Sequence, residues 1–259
     1  MVKTYRSYSQ GQHRTVTAPV DSGFVLIGGG AWTSATNAGA FLTETRPDDN
    51  LTAWVGSSKD HILADSHHIY VQSFGLKIAG ITRNELLSYV AVETATSELM
   101  AHPSAGATFG HDSEYQLLGG GAKVNWSGKG NLLTHSAPSG NGWGAASKDH
   151  YESSPATITA YAIGIKPEIA GFGRIVTSLS INHEFPVIGH TGSRSLATDI
   201  PDGWVMTCPG AYLTWLDAGR LLWRIETDGN TVWAGSDDHI APDYGRLSVY
   251  AVRIQKKNF

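Results

Sequence analysis

The chain is poor in charge, in cysteine and in long apolar runs. Only 16% of its 259 residues are charged, and the net charge is −4. No Lys/Arg cluster is longer than Lys256-Lys257. A nucleic-acid partner needs a basic footprint that displaces counterions from phosphates, so none is expected. No stretch of about 18 apolar residues exists, so no membrane span is expected. Met1 to Gln10 lacks an apolar core, and no secretory signal is expected in this chain. The expected location is cytoplasmic, or outside the cell for a mature form. The single cysteine, Cys208, has no internal partner, which allows a reducing compartment without requiring one. No Gly-x-Ser-x-Gly elbow marks a nucleophile. Helical periodicity is missing too, apart from a weak trace at Asn84 to Val90.

What is present suits strands and turns. The chain holds 30 glycines and 8 tryptophans, with 41% hydrophobic residues. Low charge with many turn formers and aromatics fits an all-β fold.

The sequence repeats. Gly28-Gly29-Gly30-Ala31 recurs as Gly119-Gly120-Gly121-Ala122, and degenerately as Cys208-Pro209-Gly210-Ala211. Ser58-Lys59-Asp60-His61 recurs as Ser147-Lys148-Asp149-His150 and as Ser236-Asp237-Asp238-His239, with the aspartates 89 residues apart each time. Between these anchors, Gly39, Gly130 and Gly219 keep step, as do Phe41-Leu42, Leu132-Leu133 and Leu221-Leu222. Each unit closes on an apolar run: Ile69 to Leu76, Ile158 to Ile165 and Leu247 to Ile254. The second run is β-branched, aromatic and apolar on both faces, and reads as a central strand. The expected fold is three tandem antiparallel, sandwich-like β units around a pseudo-threefold axis. Their bounds are residues 1–80, 81–169 and 170–259, the third degenerate.

The glycine triplets do not open a helix and lack phosphate-loop spacing. They are expected to mark a bulge or a close approach of two backbones. Cys208-Pro209 should change the conformation of the third copy, and Cys208 reads as a buried, inert thiol.

The repeated Trp…Ser-Lys-Asp-His segment is the candidate site. Trp54, Trp143 and Trp233 offer ring faces for stacking on a sugar. Lys59 and Lys148, with Asp60-His61, Asp149-His150 and Asp238-His239, offer polar contacts. Neighbouring strand residues point to opposite faces, so such a pair converges on one ligand only at a strand end or turn. The competing reading is structural, with the Asp holding backbone N–H groups and the His packing locally. His61, Asp65, His67 and His68 crowd the first unit, but the second has Ala156 and Thr157 there. No shared metal site and no cofactor are expected.

The stretch from Trp143 through Ser147-Lys148-Asp149-His150 to Ala160-Tyr161-Ala162-Ile163-Gly164-Ile165 resembles the C-terminal strands of H-type lectins. That resemblance implies trimeric β-sandwiches that bind N-acetylgalactosamine-like sugars through a Trp-His loop. Asp149-His150 stands at that pair here, so the stacking ring has to come from elsewhere, such as Trp143. The glycine-triplet region departs from the family pattern.

The leading expectation is a multivalent, lectin-like protein with up to three related sites and glycans or glycoconjugates as partners. Two alternatives remain open at this level. One is a polysaccharide-active enzyme with a single site at a junction between units. The other is a structural or assembly module. The third site should be altered. Asp237 replaces the lysine, and Trp233 precedes its aspartate by five residues where Trp54 and Trp143 precede theirs by six, which inverts strand parity unless a bulge absorbs the difference.

Overall fold

A computed structural model describes residues 1–34, 39–184 and 192–257. The strands run in chain order as β1 (Val2–Gly11), β2 (His13–Pro19), β3 (Val25–Thr33), β4 (Ala40–Pro47), β5 (Ala53–Asp60) and β6 (His67–Leu76). A short helix, α1 (Arg83–Leu87), precedes β7 (Val90–Thr96), β8 (Ser104–Thr108), β9 (Gln116–Asn125), β10 (Leu132–Pro138), β11 (Gly142–Lys148) and β12 (Thr157–Ile165). The remainder is β13 (Glu168–Ile169), β14 (Gly173–His183), β15 (Arg194–Asp199), β16 (Val205–Leu213), β17 (Leu221–Asp228), β18 (Thr231–Asp237) and β19 (Leu247–Lys257). The protein is all-β. The helix coincides with the weak periodicity at Asn84 to Val90. A capping box between Thr82 and Glu85 starts it, and the β-branched run from Val90 resumes the extended chain.

Three antiparallel sheets form. Their orders are β1-β6-β3-β17-β18-β15, β2-β5-β4-β9-β12-β7 and β13-β14-β19-β16-β10-β11-β8. Each sheet joins strands far apart in sequence, and each join is short. Glu44 and Thr45 of β4 pair with Lys123 and Ala122 of β9. His135 and Ser136 of β10 pair with Tyr212 and Ala211 of β16. Arg224 and Ile225 of β17 pair with Trp32 and Ala31 of β3. We call these joins seams. A contiguous apolar core runs beneath all three sheets. β12, apolar on both faces, is a central strand between β7 and β9.

The glycine triplets lie inside strands β3 and β9. A bulge sits just before each, at Leu26/Gly28 against β6 and opposite Ile163/Gly164 against β9. The third copy keeps the bulge, at Met206/Cys208, so Cys208-Pro209 continues a strand and does not redirect it. Space explains the composition. A Cβ on Gly120 would lie 2.2 Å from the Tyr161 carbonyl oxygen and 2.4 Å from the Trp143 ring. A Cβ on Gly119 would lie 2.6 Å from the Cys208 Cβ, and one on Gly28 would lie 2.8 Å from it. Three backbones therefore converge where one small side chain fits, and Cys208 fills that space. Its thiol is fully buried and pushed up to about 11 by burial.

Candidate functional site

The three Asp-His pairs sit at strand ends. Directly after each histidine the chain turns through a left-handed residue: Ile62 (φ 62°), Tyr151 (φ 51°) and Ile240 (φ 66°). The turns close over two residues, with Leu63 N donating to His61 O at 2.7 Å, Glu152 N to His150 O at 2.5 Å and Ala241 N to His239 O at 2.7 Å. Such γ-turns are rare and strained, more so on β-branched residues. Each turn follows its histidine, and Asp and His, as chain neighbours at the strand end, point to opposite sides.

The histidines turn inward. His61, His150 and His239 are each 1% exposed. Their rings meet one another, with centroids 5.1, 4.9 and 5.4 Å apart. Both ring nitrogens of His61 face carbonyl oxygens, Lys129 O at 2.7 Å and His150 O at 2.9 Å. Burial, then the neighbouring His239 and His61, drive His150 down to about 3.

The aspartates serve the backbone and a second basic side chain, a histidine in the first two copies and an arginine in the third. Asp60 accepts from Asp65 N at 3.0 Å and from His13 Nε2 at 2.5 Å. Asp149 accepts from Ser154 N at 3.2 Å and lies 3.5 Å from His102 Nδ1. Asp238 accepts from Gly192 N at 2.6 Å and stands 4.0 Å from the buried Arg220. Asp and His therefore do not converge on one ligand as a pair.

The lysines are clamps. Lys59 donates to the Lys129 carbonyl, and its ammonium lies 4.3 Å above the Trp126 ring. Lys148 donates to Asp217 O at 2.6 Å and to Gly219 O, with Asp243 at 3.5 Å and the Trp215 ring at 4.4 Å. Burial lowers both amines to about 8, partly offset by Asp60 and Asp243 respectively. Neither reaches outward as a ligand contact.

Two of the three tryptophans cannot stack on a ligand. Trp54 is 0% exposed and Trp143 is 1% exposed. Their indoles donate to Thr45 Oγ1 and Ser136 Oγ within the core. The role of stacking platform is corrected for both, because no ring face meets solvent. Trp233 is half-buried under the Arg224 guanidinium at 4.8 Å. The shorter spacing to its aspartate accounts for this placement. Val232 takes the core position in β18, and Trp233, one residue on, faces the other side.

A different set gathers at the seams. His13 meets the half-buried Trp126 edge-on at 5.8 Å, with Asp60 behind the imidazole. His102 meets the half-buried Trp215 at 4.9 Å, with Asp149 behind. Both histidines expose about half of their side chains, 52% and 50%. No protein-family model matches this sequence, and no curated protein matches it significantly. The chemistry is therefore read from the site alone. A groove of about 500 Å³ runs beside the first set, lined by His13, Arg14, Glu44, Ser57, Lys123 and Trp126 among others. A smaller pocket of about 210 Å³ opens beside Asp60 and Lys129. At the third seam the register places Ser193 and Asp237 where the others have His and Lys.

Sequence reading missed His13, His102, Trp126 and Trp215. The signal was there, since each type recurs at the same 89-residue interval. It lay outside the dense Ser-Lys-Asp-His motif, and each set joins residues on separate strands. The metal residues weighed in the first unit disperse. His67 bonds Ser58 Oγ at 2.7 Å and Asp65 O at 2.8 Å. His68 stacks on Tyr70, 6.0 Å between centroids. Among the described residues no group of three His, Cys, Asp or Glu side chains is placed to hold a metal ion. Nor is any helix long and apolar enough to cross a membrane.

Proposed function

We propose that this is a multivalent, lectin-like carbohydrate-binding protein whose ligand sites lie at the seams between three related β units about a threefold axis. Apart from the two-residue β13, each unit contributes three strands to one sheet and three to the next. The common 89-residue interval, the matching order of strands in the three sheets and the mutual contact of the three histidines support that arrangement. The carrying observation is the groove of about 500 Å³ with a half-buried indole and several fixed polar groups. Tryptophan offers an apolar face to a sugar ring, while hydroxyls need placed donors and acceptors. A second set at His102 and Trp215 gives a second site. Two linked sites raise avidity when both engage one glycan surface.

The test is a glycan array with the intact chain, followed by calorimetry on Trp126→Ala, Trp215→Ala and the double variant. Each single variant should lose one of two sites, and the double should lose binding while keeping its fold. Binding that survives in the folded double variant would move the site elsewhere. A polysaccharide-active enzyme is the second reading. It draws on the His13–Asp60 contact of 2.5 Å at the groove edge, an imidazole oriented by a carboxylate as in general-base catalysis. Release of product from a polymer that binds would decide for it.

A further inference from the structure

We infer that the two seam sites take ligands of different charge: the first an anionic saccharide, the second a neutral one. This rests on the lectin reading and goes beyond it by assigning a chemical class to each site.

Equivalent positions at the two seams differ in charge. In the first groove, Glu44 is already engaged. It accepts from Arg46 Nε and from Ser57 Oγ, at 2.6 and 2.7 Å. Asp60 is engaged by His13. The two remaining cations on the groove wall are not neutralised. Arg14 spends its Nε on the Gln10 carbonyl at 2.9 Å. Lys123 stands across the seam from Glu44 in register, yet among the described residues neither cation forms an ion pair. Both share the groove with Trp126. A stacking indole beside two unpaired cations matches a pyranose that bears a carboxylate or sulfate.

Of these charges the second seam keeps only the carboxylate, with Asp149 in place of Asp60. Tyr212 takes the place of Lys123, and His135 takes the place of Glu44, in the same seam register. Their rings pack edge to face at 4.7 Å. Burial holds His135 down to about 4, so it is neutral at pH 7. Pro103 takes the place of Arg14, since its carbonyl accepts from Ser147 N as Arg14 pairs with Ser58. What remains around Trp215 is aromatic, and its charges are matched within the protein: Lys148, 4.4 Å from the ring, pairs with Asp243, and Asp149 stands behind His102. A neutral sugar with an apolar ring face suits it.

The experiment is calorimetry on the whole chain with three probes: an oligogalacturonate, its neutral methyl ester and a sulfated galactan oligosaccharide. The acidic probe should fill one site, and that binding should weaken as salt rises from low to high ionic strength. Lys123→Met should weaken it about tenfold, and Arg14→Met in the same direction. Both residues have exposed or half-exposed side chains, so the variants should stay folded. Trp215→Ala should leave acidic binding unchanged and abolish the neutral site. A response to the carboxylated probe but not the sulfated one, or the reverse, would identify the anion and support the inference. Salt-independent binding of the acidic probe, or acidic binding unaffected by both Met variants, would overturn it while leaving the lectin reading intact. Failure of every saccharide on the array to bind would overturn both.

Discussion

The buried histidine cluster predicts a steep loss of stability in mild acid, and the prediction can be given a size. His150 is held down to about 3 in the folded chain, first by burial and then by the facing His239 and His61. In the unfolded chain a histidine titrates near 6.5. A depressed pKa means that the unfolded state binds the proton and the folded state resists it. The contribution is therefore complete above about pH 6.5 and is lost progressively as pH falls toward 3. Each unit of difference corresponds to about 1.4 kcal/mol, so the loss between pH 6.5 and pH 4 from this residue is roughly 3 kcal/mol. The groups that face the ring are His61, His239, Tyr151 at 4.6 Å and, farther off, Lys148. None is a carboxylate; the Ala218 backbone carbonyl favours the imidazolium, and burial outweighs it. The measurement is urea unfolding of the native chain and of His150→Phe at several pH values between 7.5 and 4. Phenylalanine keeps a ring in the cluster and removes the proton site. The native chain should lose roughly 3 kcal/mol more than the variant across that range. Parallel stability curves for the two proteins would refute the reasoning and place the acid sensitivity elsewhere.

Three further outcomes follow from the same contacts. Trp143→Ala should cost about 3–5 kcal/mol in denaturant unfolding, because the indole is buried on Gly120, whereas Trp126→Ala should move the melting temperature by only a few degrees. Gly120→Ala should cost about 1–3 kcal/mol or more, since its Cβ would meet the Tyr161 carbonyl oxygen at 2.2 Å; wild-type stability in this variant would show that β9 can shift away. Cys208 should stay unreactive toward an aromatic disulfide reagent at pH 8 until denaturant is added, because the thiol is buried and raised to about 11; rapid modification of the native chain would contradict its place between the three backbones.

The all-β class, the closing strands and the unequal third Asp-His segment could all be read from the sequence. They depend on local pattern: turn residues, β-branched runs and a spacing that recurs. Strand parity alone foretold that Trp233 would leave the face that Trp54 and Trp143 share. Tertiary structure decided which residues of each motif face solvent. Asp and His, neighbours at each strand end, point to opposite sides, and the left-handed turn that follows each histidine is one that no local rule predicts on Ile62 or Ile240. Trp54 and Trp143 look like ligand platforms in sequence because an indole serves a core and a sugar site equally well. The glycines that lie under those rings, on strands of another sheet, make them core. His13 with Trp126 and His102 with Trp215 become neighbours only when strands from different parts of the chain join at a seam, a contact that depends on sheet order and has no signature within either strand.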